Sequence, residues 1–296
     1  MTVEFLAPAK VNLGLEVIRK RDDGFHEIAT VFQTISLFDR LRIERAENDA
    51  VVVTNRIEQI EENLVSLAVE RARSAGVATD AWHIEIHKRI PLAAGLGGAS
   101  SDAAATLRGI ASAGTSELAD IALTLGSDVP FFLVGGAALA SGRGEILEPL
   151  PRLPSCWFVL VSPLVELERK TARLYGSLEA GDFSDGSRIA RTACALRAGA
   201  VPHPDDLANA FSRPLARLLP EIDSLVPAMR EAGAPFVALT GAGPTHYTIV
   251  PELSAAMEIA RRLAGRPPLP LRVLLARPTA AGMLMREKTS LPNEAL

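Results

Sequence analysis

The sequence predicts an α+β protein of two domains, with a glycine-rich phosphate loop opening a helix. Three observations carry this. At 296 residues the chain is long enough to bury a large core and to divide into two domains. Short apolar runs with strand alternation are interspersed with helical periodicity along its whole length. Residues 91–105 place Gly95, Gly97 and Gly98, then Ser100 and Ser101, directly before an alanine-rich run that favours helix. Prolines at 149, 151 and 154 mark a boundary, so the domains are expected at 1–152 and 153–296.

Residues 3–6 and 11–18 alternate or run apolar and are expected to be strands joined by a short turn at Pro8. The charged residues 19–24, ending in Gly24, read as an exposed loop. Strands are expected at 31–37, 40–45 and 51–54, and a helix at 63–74 with Leu64, Leu67, Ala68 and Ala72 on one face. A strand at 82–88, with one wet face, runs into the glycine loop. Helices follow at 101–113 and 117–125, the second ended by Gly126. After an apolar run at 137–141, residues 142–147 and the prolines that follow are expected to form a turn and then the domain boundary. The second domain is expected to open on a buried strand at 157–162 and a helix at 170–178. Residues 179–206 are poor in periodicity, so parts of them are expected to be mobile. A helix at 215–232 is interrupted at Pro220, which suits the first turn of a new helix. Strands at 236–240 and 247–250 flank Gly241 and Gly243. An amphipathic helix at 253–263 and a strand at 272–276 come last, and the tail from Gly282 has no firm pattern.

Composition excludes several function classes. With 48% hydrophobic and 22% charged residues and a net charge of −4, no electrostatic case exists for nucleic acid or anionic membrane surfaces. No run approaches the roughly 20 apolar residues of a membrane helix, and residues 1–10 lack the basic-then-apolar pattern of a secretory signal. Cys156 and Cys194 are isolated and form no metal-ligand cluster. The expectation is a cytoplasmic protein with a small-molecule partner; oligomeric state is left open.

The chemistry concentrates in four segments. At 91–101, glycines let the backbone approach a ligand, and the helix start offers unpaired N–H groups and the positive end of its dipole. This makes a site for a phosphate chain, with the Ser100 and Ser101 hydroxyls placed for an oxygen or a metal ion. No Gly-Lys-Ser/Thr follows, and the glycines miss the G-x-G-x-x-G spacing. A tight loop capping an ordinary helix is the competing reading. Lys10 and Asn12 share one strand face, where plain solvation would also account for them. Asp128 stands in an apolar stretch and must be paired or hydrogen-bonded, with helix capping as its alternative. The glycine turn at 239–245 could, alone, belong to any hairpin.

In this order the segments resemble the signature motifs of the galactokinase, homoserine kinase, mevalonate kinase and phosphomevalonate kinase superfamily. These are Pro-x-x-x-Asn-Leu at 8–13, Pro-x-x-x-Gly-Leu-Gly-x-x-Ser-Ser at 91–101, and a late Gly-x-Gly at 241–243. Four passages are similar to one branch of it, which acts on a CDP-linked methylerythritol: Pro8-Ala-Lys-Val-Asn-Leu-Gly-Leu15, Arg21-Asp-Asp-Gly-Phe-His-Glu27, Leu125-Gly-Ser-Asp-Val-Pro-Phe-Phe132 and Gly142-Arg-Gly-Glu145. The resemblance implies the α+β, two-domain superfamily kinase fold with mixed sheets, and an active site in the interdomain cleft. It implies ATP-dependent phosphorylation of the 2-hydroxyl of that alcohol, with Mg²⁺ bridging phosphate oxygens.

Asp128 is then the expected base and Lys10 the cation that keeps it ionised and offsets phosphoryl charge. Pro91, Ala94, Gly95, Leu96, Gly97, Gly98, Ala99, Ser100 and Ser101 are expected to hold ATP, Ser101 also serving the metal. Phe25 and His26 are expected to receive the cytosine ring. Asn12, Lys170, Thr240, Gly241 and Gly243 are expected to complete the substrate site. The alternatives are another small-molecule kinase of the superfamily, of homoserine or mevalonate type, and a non-catalytic nucleotide-binding regulator. The chain departs from the pattern at Phe25 (tyrosine is common there), at Ala99 (often glycine) and at the bulky His246 and Tyr247. Glu166 and Glu168 are odd companions for a diphosphate, and no acidic residue adjoins Asn209.

Overall fold

A computed structural model describes residues 2–54, 64–112, 115–165, 167–280 and 284–288. The first residue of the helix expected at 63–74, the last of that expected at 101–113, Glu166 and Gly282 lie outside the described residues.

Thr2–Lys20 forms a single 19-residue strand, β1, paired antiparallel with the 21-residue β2, His26–Ala46. The expected turn at Pro8 is therefore absent. The register instead shifts between Pro8 and Ala9, a bulge where a missing N–H is tolerated and the strand bends without ending. The strands expected at 31–37 and 40–45 are likewise both part of β2. The first half continues with β3 (Ala50–Val53), α1 (Leu64–Ser74), β4 (Ala81–His87), α2 (Gly98–Ile110), α3 (Thr115–Leu125), α4 (Val129–Val134), β5 (Ala137–Ser141) and β6 (Ile146–Leu150). The strands join one mixed sheet in which β3 runs parallel to β4 and the other pairings are antiparallel. Phe5, Ile43 and Ile84 of the sheet pack with Ala68, Ala104 and Leu107 of the helices.

The second half contains β7 (Trp157–Pro163), α5 (Lys170–Gly176), α6 (Ser187–Arg197), α7 (Ser212–Leu218), α8 (Leu225–Glu231), β8 (Ala238–Leu239), β9 (His246–Val250), α9 (Leu253–Gly265) and β10 (Leu271–Ala276). Its four strands form an antiparallel sheet in the order β10-β7-β9-β8. A 3₁₀ turn at Pro220–Ser224, opened by Pro220, separates α7 from α8. The strand expected at 236–240 shortens to two residues.

Additions to the expected order include β6 and α6. β6 contains Pro149, which an edge strand tolerates, and among the described residues β6 pairs only with β5. α6 falls inside the segment expected to be irregular. It buries Ile189, Thr192, Ala193 and Leu196, a helical stripe with only two large apolar members and hence a faint signal.

The boundary expected at 152/153 falls in the connection between β6 and β7. The end of the chain then returns to the first sheet: Pro278 bridges Ile35, and β11 (Leu284–Lys288) pairs with Thr2–Leu6 of β1. A shared core joins the halves, with Ala9, Val11 and Leu13 of β1 against Phe158, Leu160 and Tyr247. Every residue of β1 from Ala7 to Val17 is buried in consequence. No helix among the described residues is long and apolar enough to cross a membrane.

Candidate active site

The middle of β1 carries the centre of the site. The Lys10 side chain is 4% exposed; its ammonium donates to Asn12 Oδ1 at 2.6 Å and lies 3.3 Å from Asp128 Oδ2. Asn12 in turn donates to Thr30 Oγ1 at 2.8 Å, and that hydroxyl donates to the Gly14 carbonyl at 2.6 Å. Lys10 is therefore no solvated strand residue. Asp128 precedes α4 but makes no side-chain capping bond. Its side chain is 34% exposed, open to the cleft.

The loop before α2 is fastened to this centre by the Lys10 N–H, which donates to the Leu96 carbonyl at 2.9 Å. Gly95 has φ +80°, and a Cβ there would stand 2.4 Å from the Thr240 carbonyl oxygen. A Cβ at Gly241 would meet the Gly95 carbonyl at 2.8 Å. The two glycine turns lie back to back, and no side chain fits between them. Gly95, Gly97 and Ser100 border the cleft. Ala94 and Leu96 are buried, Pro91 and Gly98 half-buried, and Ala99 exposed in the first turn of α2. Ser101 is fully buried, and its Oγ has no hydrogen-bond partner among the described residues.

Beneath the loop lies a buried charge cluster that sequence reasoning missed. Lys88 Nζ sits 2.5 Å from Asp39 Oδ2 and 2.6 Å from Asp102 Oδ2. Asp39 Oδ1 accepts from the N–H groups of Arg89 and Ile90 at 2.5 and 2.9 Å. Both ends of the loop are thereby anchored. Burial, aided by Asp39 and opposed by Lys88, pushes the Asp102 carboxyl up to about 7.

The cleft encloses about 1330 Å³. Along its wall His26 stacks on Tyr175, with ring centres 4.7 Å apart, and Phe183 lies 6.3 Å from His26. Phe25 is 51% exposed, with the Arg143 guanidinium 4.4 Å from its ring centre. Burial, with Lys20 nearby, holds His26 below the ordinary imidazole value. Burial and then Asp128 raise Tyr175 to about 12. Tyr175, Phe183 and Arg143 were not among the expected site residues. Arg143 lies in the Gly142–Glu145 motif, whereas Phe183 lies where periodicity is absent.

Lys170 opens α5 and borders the cleft, its ammonium donating to the Ala93 and Gly243 carbonyls. Thr240 is fully buried behind the wall, where its Oγ1 accepts from the Asn12 N–H at 2.9 Å. Gly241 lies on the wall itself. The bulky residues after this turn brace it: Tyr247 Oη donates to the Asn12 carbonyl at 3.0 Å, and His246 Nδ1 lies 3.0 Å from the Pro244 carbonyl. Asn209 Nδ2 donates to the carbonyls of Leu239 and Gly241, a structural duty that requires no acidic neighbour. Glu168 is exposed and away from the cleft lining.

A carboxylate open to solvent, an ammonium beside it and a helix N-terminus thus converge. Such a centre can take a proton from a hydroxyl and hold phosphate charge.

Known proteins carry the same pattern. Residues 63–136 match the GHMP kinases N terminal domain, and residues 177–268 match GHMP kinases C terminal. The chain is 38% identical over 264 residues to the 4-diphosphocytidyl-2-C-methyl-D-erythritol kinase of Dehalococcoides mccartyi, covering 87% of this chain and 93% of that one. It is 35% identical over 273 residues to the enzyme of the same name from Shouchella clausii, covering 90% and 91%. A crystal structure of 4-(cytidine 5'-diphospho)-2C-methyl-D-erythritol kinase superposes with a TM-score of 0.76 at 34% identity, over 93% of this chain and 99% of that one. Homoserine kinase from Cytophaga hutchinsonii, at 19% identity and a TM-score of 0.71 over 96% and 97%, shares the fold.

Proposed function

We infer the reaction from one premise: the chain belongs to the GHMP kinases and, within them, to the 4-diphosphocytidyl-2-C-methyl-D-erythritol kinases. It is an ATP-dependent phosphotransferase whose acceptor is the 2-hydroxyl of 4-diphosphocytidyl-2-C-methyl-D-erythritol, a step of non-mevalonate isoprenoid synthesis. The observation that supports the assignment of roles is the 3.3 Å Lys10–Asp128 pair, which lines the same cleft as the glycine loop and the aromatic cluster.

Each residue then has a part. Asp128 accepts the hydroxyl proton as the oxygen attacks the γ-phosphorus of ATP. Lys10, held by Asn12, pairs with Asp128 and stabilises charge on the phosphoryl oxygens. The N–H groups from Gly95 to Ser101 hold the phosphate chain at the start of α2. Phe25 and His26, with Tyr175 and Phe183, receive the cytosine ring, whose stacking is worth about 1–3 kcal/mol.

Among the described residues no group of three His, Cys, Asp or Glu side chains gathers to hold a metal. The orphaned Ser101 Oγ, in the first turn of α2, fits a metal that arrives with the nucleotide. Bound there, Mg²⁺ would neutralise charge on the β- and γ-phosphates. Ser101 would supply one oxygen ligand.

An acceptor panel tests the assignment. With ATP and Mg²⁺, the purified protein should release ADP on 4-diphosphocytidyl-2-C-methyl-D-erythritol with kcat/KM about 10³-fold or more above that for mevalonate or homoserine. Comparable turnover of mevalonate or homoserine would move the chain to another branch. ADP binding without turnover of any alcohol would leave a regulator.

A further inference from the structure

The Lys170 ammonium is buried, yet no carboxylate lies within ion-pairing reach of it among the described residues. Two of its three N–H groups are committed to carbonyls from different loops. Ala93 belongs to the phosphate loop and Gly243 to the turn behind it. These loops touch directly as well: the Thr245 N–H donates to the Ala94 carbonyl at 3.3 Å, and Thr240 Oγ1 donates to the Gly95 carbonyl at 3.4 Å.

Backbone conformation gathers at the same contact. Among the described residues, the non-glycine residues with positive φ are Ala93 at 48° and Arg169 at 49°. Ala93 carries one of the accepting carbonyls, and Arg169 immediately precedes Lys170. A left-handed conformation without glycine persists only where its surroundings enforce it, and such positions cluster at functional sites. Both serve to bring one ammonium to two carbonyls.

We propose that Lys170 is a positioning residue that ties the phosphate loop to the Thr240–Thr245 turn and keeps its third N–H and its charge for the phosphates of bound nucleotide. A buried ammonium with only carbonyls for partners lacks a counter-charge, and an anion entering the cleft supplies one. Lys10 on β1 is the charged group that acts on it. Asp128, the nearby carboxylate of the cleft, is engaged with Lys10, and Tyr175 stands one α5 turn farther along. Burial and then Lys10 pull the Lys170 ammonium down to about 8. An anionic ligand favours the charged form, so nucleotide affinity should fall as pH rises through that value. The inference rests on reading the cleft as a kinase site, though its test needs no acceptor alcohol.

The test is calorimetric titration with Mg·ADP between pH 7 and 9.5, a range above the titration of the phosphates, whose second pKa lies near 6. For the wild type the dissociation constant should rise with pH, approaching tenfold per unit above about 8. Lys170→Met should bind about tenfold or more weakly at pH 7 and lose the alkaline decline. Lys170→Arg should retain most of the affinity and shift the decline beyond the range. Met-variant affinity within about twofold of wild type, or an unmoved alkaline decline in either variant, would overturn the proposal. Should Lys170→Met not fold, the Arg profile alone decides, because its decline moves only if Lys170 is the titrating group. A protein that binds Mg·ADP in this way but turns over no cytidine-linked alcohol would refute the acceptor assignment and leave Lys170 in place.

Discussion

Asp128→Asn should lower kcat by about 10²-fold or more while leaving nucleotide affinity largely unchanged. The amide keeps the size of the carboxylate but cannot take the hydroxyl proton. Little else depends on the charge. The side chain is 34% exposed, so no buried donor is orphaned. α4 gains no capping bond from it, and Lys10 retains its 2.6 Å bond to Asn12. A thermal midpoint close to wild type should accompany the loss. Unchanged turnover removes Asp128 from the chemistry, and a variant that loses nucleotide binding instead makes it a ligand.

Lys10→Met should cost about 10²–10³-fold in kcat, the scale of removing one preorganised electrostatic stabiliser. It should also destabilise the fold, because Asn12 Oδ1 would be left buried without its donor, at a cost of about 1–3 kcal/mol. Lys10 therefore differs from Asp128 in moving activity and stability together. The double variant Lys10→Met/Asp128→Asn should fall little below the weaker single variant, because the two act as one unit. Additive losses would mean that the residues act separately in the reaction, despite lying 3.3 Å apart.

Lys10 and Asp128 were singled out in the sequence by position, Lys10 sharing a strand face with Asn12 and Asp128 standing in an apolar stretch, while their expected roles came from the family resemblance. The glycine loop was legible because Gly95, Gly97 and Gly241 take positive φ, which few other residues adopt. What remained hidden depends on pairs distant in sequence. Lys88 reads as the end of a wet strand and Asp102 as a polar member of an alanine helix; only the fold places them 2.6 Å apart. Lys170 reads as a helix-start lysine, and its two carbonyl acceptors lie 73 and 77 residues away. Tyr247 looked too large for its turn because its hydroxyl partner, the Asn12 carbonyl, is 235 residues distant.

The elements show the same division. The register shift at Pro8 keeps β1 continuous through pairing with β2, so tertiary context overrides a local turn signal. α6 was missed because two of the four residues on its buried face are Thr192 and Ala193. β11 lies in a tail without pattern and takes its order from pairing with β1.

The most direct measurement is phosphorus NMR of the product made from ATP and 4-diphosphocytidyl-2-C-methyl-D-erythritol. The carbon bearing the 2-hydroxyl carries a methyl group and no hydrogen. Transfer there predicts a new monoester resonance without three-bond coupling to protons, formed in step with ADP. A triplet or doublet, from phosphate on a primary or secondary carbon, or ADP release with no new monoester, would contradict the account.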